Sequence, residues 1–251
     1  MATESKDGKP SARAASLPRR VYKAVTVVPR EADGTFAVML DARPARTPGK
    51  APLALPSRAM AEAVAAEWQA QGERIDPATM PLTRLVNSVI DGVRGREGQV
   101  RADIVRYAGS DLVCYRAEAP RELVSLQAAH WDPVLAWARR SLSASFAVAA
   151  GVMPVGQPEA ATAAVARALA AHDAFALGAL HVMTTLTGSA LLALAHAEGQ
   201  LTCEAAWGAA HVDEDFQISQ WGEDWEAADR RRRRWQEMQA ASRLLELAGG
   251  G

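Results

Sequence analysis

The stretch Ser57–Gly72, SRAMAEAVAAEWQAQG, decides the fold, because the hydrophobic period changes there. Met60, Val64 and Trp68 recur every four residues, the spacing of one helical face. Ser57 is a capping residue ahead of that stripe, and Gly72 supplies a stop behind it. The segments before Ser57 read with period two, and those after it with a period near 3.6.

Working backwards, Thr35–Leu40 reads as a strand, and the β-branched run Val21–Val28 as its partner. Asp33-Gly34 supplies the turn between them. Asp41–Lys50 contains Pro44, Pro48 and Gly49 and must be a turn or edge segment, since proline cannot donate to a ladder. Leu53–Leu55 adds a short strand, giving three or four antiparallel strands in all.

Working forwards, Leu82, Leu85, Val86, Val89, Ile90 and Val93 form a second helical stripe, with Pro81 allowed in its first turn. Val100–Tyr107 is a shorter helix. Arg121–Leu142 is helical on both sides of Pro133, which should kink or split it. Phe146–Val152 reads as a short strand. Ala-rich helical stretches follow over Glu159–Ala171, Ala174–Glu198 and Thr202–Leu247, the last with one or two breaks. The expected class is therefore α+β. Residues 1–18 read as a disordered tail, 19–75 as a small antiparallel β-rich domain with one helix, and 76–248 as a larger, all-α orthogonal helical bundle. No βαβ alternation appears, which argues against a doubly wound nucleotide-binding sheet.

Composition narrows the function. The 251 residues carry 28 basic and 29 acidic side chains, a balance without long-range attraction for nucleic acid or anionic membranes. Ala174–Ala197 lacks charged residues, and a straight helix of that length would be about 36 Å long. His181, three threonines, Ser189, His196 and two glycines interrupt it, so it reads as the centre of a bundle and not as a membrane span. Cys114 and Cys203 lie far apart with no CxxC partner and read as packed thiols of a reducing compartment.

No stretch reads as a complete active site. Phosphate loops, HExxH and GxSxG are absent. His211 and Glu214, three residues apart with Asp213 and Asp215 nearby, would be the centre of the alternative reading, a helical metal-dependent enzyme. No second ligand pair exists at matching spacing, so a solvated acidic helix end is the preferred reading. Cys114, after Ser110-Asp111-Leu112, reads as a core thiol. His181 reads as a hydrogen-bonded core histidine. The arginines Arg230–Arg234 cover every side of a helix, with Glu226–Arg230 and Asp229–Arg233 as i,i+4 pairs. If Val212–Ala228 is one helix, Glu214, Ile218, Trp221, Trp225 and Ala228 share a face. An acid in line with two tryptophans is either the solvent end of the stripe or a partner-binding group.

These segments together resemble a known family. The marks are Tyr22-Lys23, Leu40-Asp41-Ala42-Arg43-Pro44 with Thr47-Pro48, Leu53–Pro56, Glu67-Trp68 with Gln71-Gly72, and Thr79–Arg84 with Asn87. Further on come Ser110-Asp111-Leu112 with Cys114-Tyr115-Arg116, Trp131-Asp132-Pro133, Thr184–Gly188, Asp213-Glu214-Asp215 with Gln217, and Trp221-Gly222-Glu223. In this order, from about Arg20 to Leu247, they resemble the ATP synthase assembly chaperones that bind the alpha subunit of the soluble catalytic head. Ala42 departs from the glycine expected in many relatives. The resemblance implies a chaperone without turnover, cofactor or metal, monomeric when free. It would be cytoplasmic in bacteria and in the mitochondrial matrix of eukaryotic relatives. Its partner would be the ATP synthase alpha subunit, held until the beta subunit replaces it. The candidate contacts are Glu214, Asp215, Trp221, Glu223, Asp224 and Arg43.

Overall fold

Asp33 closes the first hairpin. Its carboxylate accepts from the Thr35 hydroxyl at 2.6 Å and the Thr35 N–H at 3.2 Å, while Gly34 takes the φ of +67° that the turn requires. A computed structural model of the chain describes residues 17–151 and 153–249. The hairpin joins β1 (Val25–Arg30) to β2 (Thr35–Leu40) in antiparallel register, Val27 facing Val38. The other edge of β2 pairs with β3 (Arg43–Pro44) near Leu40 and with β4 (Ala54–Leu55) near Phe36. The result is a four-stranded antiparallel sheet. The first strand begins at Val25 and not at Val21, whose side chain is exposed. Most of the expected tail lies outside the described residues. Leu17 and Pro18 are described, and their carbonyls accept from the Arg74 side chain at 2.6 Å and the Ile75 N–H at 2.9 Å.

Helix α1 (Arg58–Gln69) starts where the Ser57 hydroxyl accepts from the Met60 N–H at 3.2 Å. Met60 and Val64 are fully buried with Val38 and Leu55 of the sheet in one apolar core. Burying each such side chain contributes roughly 1.5–3 kcal/mol. Trp68 ties the helix to the chain ahead of β1: Tyr22 stacks edge-on against it at 5.9 Å and donates its hydroxyl to the Trp68 carbonyl at 2.7 Å. The helix ends before Gly72. Gln71 closes it instead, donating to the Glu67 carbonyl and the Thr79 hydroxyl and accepting from the Asp76 N–H. Glu67 in turn caps α2 (Pro81–Ser88), accepting from the N–H groups of Leu82 at 2.9 Å and Thr83 at 2.7 Å. Such charge-assisted caps satisfy donors that a proline-led helix start leaves free.

A π turn, Val89–Val93, extends α2. It packs on α6 (Ala174–Thr187), where Gly178 admits the Val89 side chain. Helix α3 (Glu97–Ala108) follows, then α4 (Arg121–Ser141), which runs through Pro133 without splitting. The expected strand near residue 146 is reduced to β6 (Ala149–Ala150), paired in parallel with β5 (Tyr115–Arg116). Helix α5 (Glu159–Leu169) leads into the apolar stretch, which is two helices. Gly188 at φ +69° ends α6, and the Ser189 hydroxyl caps α7 (Ala190–Ala197) by accepting from the Leu192 N–H. Both are buried among other helices, and among the described residues no helix is long and apolar enough to cross a membrane.

The C-terminal stretch breaks twice, into α8 (Cys203–Ala210), α9 (Val212–Trp221) and α10 (Trp225–Gly249), the last lying along α6. Sheet and helices make the α+β fold expected, with one apolar core running from Val38 through Trp131 to Leu244.

Candidate functional site

The acidic segment does not form the single straight helix expected over Val212–Ala228. Gly222 adopts φ +85° and ψ 170°, a conformation that L side chains avoid, and the chain turns there. The Asp224 carboxylate accepts from the Ala227 N–H at 2.9 Å and starts α10. Trp225 therefore leaves the face shared by Glu214, Ile218 and Trp221. Ala228 meets that face from the second helix, across a cleft of about 260 Å³ between α9 and α10. At the elbow both indoles face solvent: Trp221 is 87% exposed and Trp225 77%.

The acids sort by partner. Asp213 accepts from the Gln127 amide at 2.6 Å, and Gln127 also accepts from the Ala117 N–H, so this acid joins α9 to α4. Asp215 pairs with Arg231 at 2.5 Å. That hydrogen bond raises the guanidinium's pKa above its ordinary value. Glu226 lies 4.0 Å from Arg230, and Asp229 takes both Arg232 and Arg233. The two spacing-based pairs are thus present. Arg234 donates to the Leu186 carbonyl at 2.6 Å. Glu223 makes no close ion pair or hydrogen bond with the described residues, and Glu214 lies 3.9 Å from His211, while both carboxylates also feel the Arg231 guanidinium across the cleft.

His211 is buried, stacked on Trp207 at 3.9 Å between ring centres, and its Nδ1–H donates to the Trp207 carbonyl at 2.8 Å. Burial holds its pKa below the ordinary histidine value, and Arg231 adds to the effect. Nδ1 is thus occupied and the ring is neutral, and no group of three His, Cys, Asp or Glu side chains able to hold a metal exists among the described residues. The metal-dependent reading around His211 and Glu214 loses its geometric basis.

The other residues singled out by pattern lie away from the elbow. Asp111 is fully buried and accepts from the Val113 N–H at 3.3 Å and, at 3.0 Å, from the Leu191 N–H in the first turn of α7. Cys114 is buried and its thiol is pushed up to about 12, mainly by burial, so it carries no thiolate at neutral pH. His181 is half-buried and makes no side-chain hydrogen bond with the described residues, contrary to expectation. Arg43 is exposed on β3 and shares no hydrogen bond or ion pair with the elbow. The contacts Asp215–Arg231 and Asp213–Gln127 had no signal at helical spacing, because each joins separate helices.

Comparison with known proteins agrees with this architecture. A family model described as ATP12 chaperone protein matches residues 19–139. The Atu1473 protein of Agrobacterium tumefaciens, a candidate chaperone, is 49% identical over 96% of this chain and 92% of its own, with a TM-score of 0.89. Atp12 from Paracoccus denitrificans is 42% identical over 92% of this chain and 98% of its own, with a TM-score of 0.85, and a point mutant of that protein superposes with 0.86. The class so defined is that of ATP synthase assembly chaperones. The chain belongs to the ATP12 chaperone family.

Proposed function

We propose that the chain binds the free alpha subunit of the ATP synthase head and keeps it from aggregating until the beta subunit displaces it. The observation that carries this reading is the elbow, which leaves two tryptophans in water beside several acids that share a single guanidinium, Arg231. Exposed indoles give no folding free energy, whereas tryptophan in an interface centre contributes heavily to affinity. An orphan subunit exposes an interface that can exceed roughly 2,000 Å² and is apolar enough to aggregate. Reversible cover by a chaperone prevents that and yields to the true neighbour by mass action.

In this reading Glu214, Asp215, Trp221, Glu223 and Asp224 form the contact, and exposed Arg43 on β3 is a second contact point. The buried, unpaired thiols Cys114 and Cys203 fit a reducing setting, taken here as the bacterial cytoplasm, with the free chaperone a monomer. The test is light scattering from isolated alpha subunit diluted out of denaturant. The wild-type chaperone suppresses it and Glu214→Lys does so less well, while the circular dichroism of that variant is unchanged. Scattering unaltered by the wild-type chain would end the proposal.

A further inference from the structure

The cleft at the elbow has a chemistry of its own. Three of its lining side chains are carboxylates, Glu214, Glu223 and Asp224, and one is a guanidinium, Arg231. That guanidinium is already bound to Asp215, which lies outside the lining. Asp224 spends one lone pair on the Ala227 N–H, Glu214 lies against an imidazole that burial keeps neutral, and Glu214 and Glu223 share with Asp215 the field of that one guanidinium without a close ion pair of their own. The cleft therefore carries an excess of negative charge, three lining carboxylates against a single guanidinium that Asp215 already holds. One wall adds half-buried Ile218 and the exposed ring of Trp221.

We infer that this cleft receives an arginine side chain of the partner. The inference rests on the alpha-subunit reading above and deepens it by naming what is recognised. A planar guanidinium meets all three features at once: it stacks flat on an indole face, pairs with a carboxylate through two parallel hydrogen bonds, and lays its methylenes on an apolar wall. A lysine ammonium is a more strongly hydrated point charge and uses the flat face less well. Gly222 has no side chain to place over the cleft, and its positive φ makes the turn between the two helices. The fixed Asp215–Arg231 pair holds α9 against α10, so the site exists before the partner arrives.

The test has two arms. In the first, affinity for isolated alpha subunit is measured for Trp221→Phe and Trp221→Leu. Leucine keeps apolar area and removes the aromatic face. The expected result is a loss of about tenfold for Trp221→Leu. Trp221→Phe should stay within about threefold of wild type. The second arm uses no alpha subunit. N-acetyl-arginine amide is titrated into the full chain, and the indole N–H resonances are followed by NMR. The Trp221 resonance, assigned by its disappearance in Trp221→Phe, should move with the arginine amide and move less with the lysine and leucine amides.

If the wild-type chain fails to bind alpha subunit while the arginine-selective shift appears, the proposed client is wrong and the guanidinium site stands. If alpha subunit binds but Trp221→Leu matches wild type, the inference is overturned. An equal response to all three amides overturns it as well.

Discussion

Asp91, in the π turn after α2, holds Thr47 of the N-terminal segment: its Oδ1 accepts from the Thr47 hydroxyl at 2.6 Å across 44 positions of sequence. Its Oδ2 accepts from the Gly49 N–H at 2.8 Å. A β-carbon on Gly49 would stand 2.7 Å from the carboxylate, so any larger residue there would push Asp91 out of this position. One side chain thus joins the sheet to the helical part. Hydrogen bonds to a charged group contribute about 1.5–3 kcal/mol each when buried, and less here because Asp91 is exposed. Asp91→Ala should cost about 2 kcal/mol and Asp91→Asn about half of that, read from urea denaturation. An unchanged midpoint for Asp91→Ala would show that the clamp is dispensable.

Gly178→Ala should destabilise although alanine is the better helix former. The added carbon would lie 2.3 Å from Val89 Cγ2. Overpacking costs about 1–3 kcal/mol, against a propensity gain of about 1 kcal/mol. Val89→Ala in the same chain removes the obstructing methyl groups, so the double variant should cost less than the sum of the single ones. Strict additivity in that cycle would mean the two residues do not touch.

Asp111 predicts a pH effect. Burial pushes its carboxyl up to about 6, against the lowering donors Ser189, Leu191, Val113 and Ala190, while the unfolded chain keeps the ordinary 3.8. The folded chain therefore takes up this proton first. The associated stability is complete below 3.8 and is lost as pH rises through about 6. The stability of wild type relative to Asp111→Asn should then grow between about pH 7 and pH 4.5. A flat difference across that window counts against it.

His211 acts in the opposite sense. Its folded pKa lies below 6.5, mainly through burial, so the unfolded chain binds the proton first. Stability is lost as pH falls from about 6.5 through the lower folded value. His211→Gln should flatten that limb of the curve. Glu214→Gln should deepen the loss, because the carboxylate 3.9 Å away raises the His211 pKa. Thermal melts between about pH 7.5 and 5 separate the three proteins, and a Glu214→Gln curve shallower than wild type would refute the coupling.

The α+β class and most elements were legible because their signals are local. Ser57 caps α1 from three residues away, and Asp33-Gly34 closes its own hairpin. What stayed hidden depends on contacts between distant segments. Glu67 caps α2 from 15 positions upstream, and Gln71 ends α1 ahead of the glycine that looked like its stop. At the elbow, spacing correctly grouped Glu214, Ile218 and Trp221, but it assumed a straight helix through Gly222 and so misplaced Trp225. Gly222 stands between Trp221 and the acids Glu223 and Asp224, with no proline or second glycine beside it to mark a turn. The pairing of Asp215 with Arg231 likewise needs the turn before the two can meet.

The break at Gly188 has a consequence for length. The chain's longest uncharged stretch becomes rods of 14 and 8 residues, about 21 and 12 Å long. Neither reaches across the roughly 30 Å of hydrocarbon in a bilayer. Both halves of the break are short-range: a left-handed glycine and a serine whose hydroxyl serves an N–H three residues on. Neither depends on a partner helix, so the break is written into the segment itself. Two adjacent residues thus divide the one uncharged segment whose length would otherwise match a bilayer.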